Sequence, residues 1–268
     1  MIPSRLGRLV GVELAHVRRG SGPTFVVLRQ LEKPLWEPVV ERLARDREVV
    51  AVDLPGMGDS PPLPDGEAPS VEALARAVAG WFASAGLERP HVAGNSLGGG
   101  VALELARAAE VGGAAALSPI GLWNRIGAAY ALRSLRVARA VARTLGSRTG
   151  VMAGNPVGRT LAFGQLMSRP WRLSATTARQ MLEGIAGAPG FEETARAVFD
   201  YRLRRFEPQV PVTIGWGQRD FMTPPHQARR AQQVLPNARH VILTGCGHSP
   251  MVDDPDQVVR VLLDSSRS

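Results

Sequence analysis

The chain has 268 residues, of which 44% are hydrophobic and 21% charged, proportions that support a packed core and exclude general disorder. A single cysteine, Cys246, excludes an intramolecular disulfide framework, and with no apolar run of about 18 residues and no signal-like apolar segment near the N-terminus, a cytoplasmic protein without a membrane span is expected. The net charge of +8 raises nucleic acid or an anionic membrane as partners, but it is concentrated: residues 111–182 hold ten arginines and no Asp or Glu, so that segment carries +10 and the remainder −2.

In chain order, short apolar and β-branched runs at residues 24–28 (TFVVL), 48–54 (EVVAVDL), 91–94 (HVAG), 114–117 (AAAL), 210–216 (VPVTIGW) and 239–243 (RHVIL) predict buried strands. Helical patterns at 35–45, 71–85, 97–109, 225–235 and 255–264 fall between and after them. The alternation predicts an α/β protein with a mostly parallel central sheet and helices on both faces. It breaks between residues 120 and 205, where Ala, Arg and Leu dominate. The expected organisation is therefore one core formed by 1–119 and 206–268, with 120–205 inserted as a helical cap over the strand ends.

The strongest local signal is Gly94-Asn95-Ser96-Leu97-Gly98, followed by Gly99 and Gly100, between the strand HVAG and a helix. This G-x-S-x-G pattern suits a sharp strand-to-helix turn that projects a serine hydroxyl from the carboxyl edge of a sheet. The helix N-terminus adds positive potential there, and the amide of Leu97 is a candidate oxyanion donor. A serine at its ordinary pKa needs an imidazole to take its proton and a carboxylate to orient that imidazole. Of five histidines, His16, His91, His226 and His240 fall on or beside strands or in a helix turn, whereas His248 follows the strand RHVILTG in a loop at the expected edge. Asp220, at the end of VPVTIGWGQRD, is the preferred acid. Asp53, Asp59, Asp253 and Asp254 remain rivals, the first two as local amide binders and the last two as helix N-terminal charges. The plain alternatives are a glycine-rich turn with an idle serine and a surface-loop histidine.

The motifs DLPGMGDS, GNSLGGG, GWGQRD and GCGHSP, with Ser, Asp and His in that order, resemble the α/β-hydrolase superfamily, specifically its serine-nucleophile, capped esterase, perhydrolase and carbon–carbon bond hydrolase branches. The resemblance implies attack on an ester, thioester or related acyl substrate through Ser96, His248 and Asp220, with an acyl-enzyme intermediate. The alternatives are a carbon–carbon bond hydrolase or cyclising acyl transferase using the same triad, and a non-catalytic binding homologue. One element departs from the family pattern. Where these enzymes usually carry a His-Gly pair after the first buried strand, this chain has Arg29-Gln30-Leu31. The Leu31 amide is the candidate second oxyanion donor, and Arg29 and Gln30 are candidate substrate contacts, with a solvent-reaching Arg29 as the plain alternative.

Neither metal nor organic cofactor is indicated, because the histidines lack ligand spacing and the glycines do not match a dinucleotide fingerprint. Within residues 130–146, Arg133, Arg136, Arg139 and Arg143 share one helical side and Leu135, Val137, Ala138, Val141, Ala142 and Leu145 the other. The expected arrangement is a solvated arginine face over an apolar, core-packed one, with weak contact to an anionic surface as the rival and no nucleic-acid partner. The partner expected is a small acyl substrate.

Overall fold

Val26 and Leu28 pack on one side of a central sheet and Phe25 and Val27 on the other, as the two-residue period of a strand buried on both faces requires. The computed structural model describes residues 12–30, 33–64, 66–188 and 190–266. Its strands are β1 (His16–Arg19), β2 (Thr24–Arg29), β3 (Glu48–Asp53), β4 (His91–Asn95), β5 (Gly113–Leu117), β6 (Val212–Gly217) and β7 (Arg239–Leu243). They form one sheet in the order β1-β3-β2-β4-β5-β6-β7. All neighbours are parallel except β1, which runs antiparallel along β3. The sequence HVRR of β1 is exposed at every residue, so this edge strand carries no apolar alternation from which it could have been predicted.

Among the core helices, α1 (Lys33–Leu43) packs on one face of the sheet, and α2 (Val71–Ser84) and α3 (Leu97–Arg107) pack on the other. The Ser70 hydroxyl accepts a hydrogen bond from the Ala73 amide and starts α2. Between β5 and β6 the chain passes through α4 (Arg125–Leu145), α5 (Thr149–Gly154), α6 (Pro156–Phe163), α7 (Ala175–Gly187) and α8 (Phe191–Phe199). After β6 come α9 (His226–Val234), α10 (Pro250–Asp253) and α11 (Pro255–Ser265), the last capped by Asp254, which accepts from the Gln257 amide. Leaving the helical insertion, Tyr201 donates its hydroxyl to the buried Glu104 carboxylate of α3 at 2.8 Å, tying the insertion's exit to the core.

Helix α4 departs in part from the arrangement expected of its sequence: Arg133, Arg136 and Arg143 are exposed and Ala142 is buried, as expected, but Arg139 is not solvated. Arg139 is buried, donates to the carbonyls of Ile185 and Ala188 at 3.1 and 2.6 Å, and lies 4.9 Å from the centre of the Phe191 ring. Arg143 donates to the Ala186 carbonyl, and Arg136 pairs with Glu192. The carbonyls released where α7 ends supply the acceptors that a guanidinium can satisfy. Val137 and Val141, on the other side, are exposed. Replacing Arg139 by Met should therefore destabilise the fold by about 2–3 kcal/mol, because two charge-assisted bonds to buried carbonyls are lost. Arg133→Met, on the exposed side, should stay within about 0.5 kcal/mol. Urea unfolding of both variants measures the contrast.

Candidate active site

Strand β4 ends in a turn so tight that a Cβ on Gly94 would run into the backbone of Gly98, and one on Gly98 into the Leu28 carbonyl of β2. Only glycine fits at both flanks. Between them Ser96 is held at φ 53°, ψ −113°, a conformation that costs a residue with a side chain on the order of 1–3 kcal/mol. The surroundings fix it: the Ser96 amide donates to Leu117 of β5, and its carbonyl accepts from Gly100 and Ile120. Leu97 is the first residue of α3, where an amide has no acceptor one turn back. It lines the same cavity as Ser96.

The parallel sheet brings the loop after β7 to the same edge. There the Asn95 side chain, next to the serine, donates to the His248 carbonyl at 2.9 Å and to the Leu117 carbonyl at 3.0 Å. His248 is buried, and it lines the cavity with Ser96. Its Nδ1 lies 2.9 Å from Asp220 Oδ2. A carboxylate only accepts, so the proton of the neutral ring sits on Nδ1 and Nε2 is the ring's acceptor nitrogen. Asp220 in turn accepts from the amides of Met222 and Thr223, at 2.9 and 2.7 Å, and from the Thr223 hydroxyl at 2.8 Å. Burial pushes the Asp220 carboxyl up, but the charge and hydrogen bond of His248 and the Thr223 donors outweigh it, leaving the group below its ordinary value.

The supporting roles of two residues escaped the sequence analysis, and that of a third was misread. Thr223 also places its hydroxyl 3.2 Å from His248 Nδ1; the pattern Asp-x-x-Thr before two prolines, which favours a side chain folding back on its own turn, was the available signal. Asn95 bridges the serine turn and the histidine loop. Asp253 is not a helix N-terminal charge, as expected, but a buried carboxylate that accepts from the amides of Gly247, Ser168 and Arg169 at 2.7, 2.9 and 2.8 Å. Nothing in its sequence neighbourhood indicates these distant partners.

The loop between β2 and α1 also differs from expectation. Arg29 neither reaches solvent nor faces the cavity: its side chain is buried, with Nη2 3.0 Å from Asp53 Oδ1. The other oxygen of Asp53 meets Lys33 Nζ at 2.6 Å, and Lys33 also holds Asp59. One buried carboxylate thus pins the residues on both sides of 30–32. Gln30 lines the cavity; Leu31 lies outside the described residues. The rivals Asp53 and Asp59 are accounted for by this cluster, and Asp254 by its helix cap. Among the described residues no group of three or more His, Cys, Asp or Glu side chains is placed to hold a metal ion. Cys246 is buried, with burial pushing its thiol up to about 12, so it is no competing nucleophile.

The cavity has a volume of about 620 Å³. Ser96, Leu97, His248 and Thr223 form its floor, and aliphatic and aromatic side chains of the helical insertion, including Leu135, Phe163, Met181 and Phe191, form much of its wall. A model of the alpha/beta hydrolase family matches residues 16–261. The chain belongs to the α/β-hydrolase family. This hydrolase is 30% identical over 263 residues to the uncharacterized protein Rv2715 of Mycobacterium tuberculosis, covering 91% of this chain and 75% of that protein. It is 27% identical over 255 residues to a pimeloyl-[acyl-carrier protein] methyl ester esterase of Nitrosomonas europaea, covering 90% and 94%. Among solved structures it is similar to a membrane phospholipase A, a bacterial virulence factor, with a TM-score of 0.72, 25% identity and coverage of 97% and 86%.

Two outcomes follow for the hydrolase. Asp53→Ala leaves the buried Arg29 guanidinium with only Glu37, 3.9 Å away, and should cost about 3 kcal/mol of stability, measured by urea unfolding. Because the Asp220 carboxyl is depressed in the folded state, the stability it contributes is complete above its ordinary value of 3.8 and fades as pH falls through the lower folded value. Thr223→Val removes one of the lowering contacts. It should therefore be less stable than the parent by about 1 kcal/mol at pH 6–7, with the gap narrowing in acid, as a series of thermal melts from pH 2 to 7 would record.

Proposed function

We propose that the protein hydrolyses esters or related acyl compounds through a Ser96–His248–Asp220 triad. The observation that carries this reading is the 2.9 Å contact between His248 Nδ1 and Asp220 Oδ2, behind an imidazole that shares a cavity with Ser96. In the acylation step Ser96 Oγ attacks the acyl carbon and its proton passes to His248 Nε2. The resulting imidazolium is stabilised by the Asp220 carboxylate. The carbonyl oxygen becomes an oxyanion facing the Leu97 amide, with the N-terminus of α3 behind it. Collapse expels the alcohol, which takes the proton from His248, and leaves the acyl group on Ser96. A water molecule then gives a proton to His248 as its oxygen attacks the same carbon, and the second collapse returns the proton to Ser96 and releases the acid.

The strained backbone at Ser96 supports a nucleophile over an idle serine, since an idle residue would have no reason to keep a costly conformation. The mostly apolar wall supports a substrate with a large apolar acyl or alcohol group, and the helical insertion that builds it acts as a cap. The names of the relatives, an esterase and a phospholipase A among them, agree with an ester-cleaving reaction.

A fluorophosphonate probe should label the wild-type protein and fail to label Ser96→Ala; retention of the label by that variant places the nucleophile elsewhere. Asp220→Asn should keep the fold and lower kcat by about 10⁴-fold, because the ring loses the partner that fixes its tautomer. Across a series of straight-chain acyl esters, kcat/KM should rise by up to about fourfold per methylene until the cavity is filled. A flat series would remove the argument for a large apolar substrate.

A further inference from the structure

Eight of the eleven large hydrophobic side chains exposed among the described residues lie between residues 126 and 171. Ile126, Val151, Val157 and Leu161 are 79, 74, 69 and 77% exposed, values that leave these aliphatic groups almost wholly in water, and Trp171 is 49% exposed. They are not scattered. Val157, Leu161 and Trp171 line one shallow apolar depression. Leu161 also lines the catalytic cavity, together with the exposed Tyr130, Val137 and Val141. On α4, residues 126, 130, 137 and 141 lie within about 60° on a helix of 3.6 residues per turn, and Arg133 borders the same stripe. The surface is therefore one apolar face that runs into the cavity mouth.

The charge around it has one sign. Arg125, Arg133, Arg148 and Arg172 are exposed, and no carboxylate pairs with any of them among the described residues. Arg136, Arg139 and Arg143 are taken up by contacts within the insertion. Contiguous apolar surface on this scale marks an interaction site more often than a solvated face. A second copy docked symmetrically would set arginine against arginine with no acid to intervene. A sheet of anionic headgroups over acyl chains complements both components, since arginines meet phosphates and Ile, Val, Leu and Trp enter the boundary.

We infer that the face formed by α4, α5, α6 and Trp171 docks on an anionic lipid surface, with the mouth of the cavity against the lipid. An apolar substrate then passes from the bilayer to the cavity without crossing water. The docking uses none of the chemistry of Ser96, so it stands or falls separately from the proposed hydrolysis.

The tryptophans provide a local readout: Trp36, Trp81, Trp123 and Trp216 are buried, so a change in intrinsic fluorescence on docking comes from Trp171. Vesicles of phosphatidylcholine containing phosphatidylglycerol should shift the emission to the blue and carry the protein into the pellet at low salt. Pure phosphatidylcholine should do so far less, and added salt should weaken the effect. Val151→Asp combined with Val157→Asp should lower vesicle partitioning by about tenfold or more, with turnover of a short, water-soluble ester unchanged. The second of these substitutions puts its carboxylate in the first turn of α6, where a negative charge is favourable. Should thermal melting show that this variant does not fold, Arg148→Glu with Arg172→Glu serves in its place, with the same expected loss. Absence of any shift or pelleting with anionic vesicles at low salt overturns the inference, as does equal binding by the folded variants. Concentration-dependent self-association in ultracentrifugation, with indifference to lipid, assigns the face to a second copy instead. Ser96→Ala should bind vesicles like the wild type, so a failed labelling experiment and a failed vesicle experiment lead to different conclusions.

Discussion

The Asp220 carboxylate organises the candidate site. It is buried, and removal from water alone would favour its neutral form. Two amides, one hydroxyl and one ring nitrogen converge on its two oxygens and keep it charged. That charge fixes which nitrogen of His248 carries the proton, and so which one faces the cavity. The turn that supplies the donors is itself held by the Trp216 indole, which donates to the Thr223 carbonyl. An acid at this point thus depends on local backbone geometry as much as on its partner histidine.

Around that charge, the carboxyl edge of the sheet is a place of unusually close backbone approach. A Cβ on Gly217 at the end of β6 would collide with the Gly247 carbonyl, beside the histidine. The corresponding constraint on β4 is the pair Gly94 and Gly98. These glycines let two loops and a helix start crowd one edge, and the crowding holds Ser96 in a conformation it would not adopt alone. The hydrogen bonds from the neighbouring strand and helix offset that local cost.

Most of the frame was legible in the sequence because β2 to β6 are buried on both faces and therefore read as continuous apolar runs, whereas β7, expected to be buried, is an edge strand with only Leu243 buried. The edge strand β1 was not legible, since HVRR has neither alternation nor apolar weight. The glycine-flanked serine and the loop histidine were legible because their chemistry depends on neighbours in sequence. Asp53 was read only in part, since it does accept from the local Asp59 amide but also pairs with Arg29 and Lys33, and Asp253 was misread because its partners lie on other elements and a carboxylate looks alike whether it caps a helix or ties distant segments together. The burial of Arg139 on α4 has the same origin. A helical wheel sorts its side chains into two faces, but nothing within the helix says that the arginines meet the carbonyls at the end of α7. Leu31, outside the described residues, leaves the second oxyanion donor as it stood in the sequence.

Asp253 links two parts of the molecule that would otherwise move separately. Its one carboxylate grips the backbone of Gly247, the residue before the proposed base, and that of Ser168 and Arg169 in the helical insertion. The position of the loop that carries the proposed base is thereby tied to that of the insertion, through one buried carboxylate rather than through packing alone.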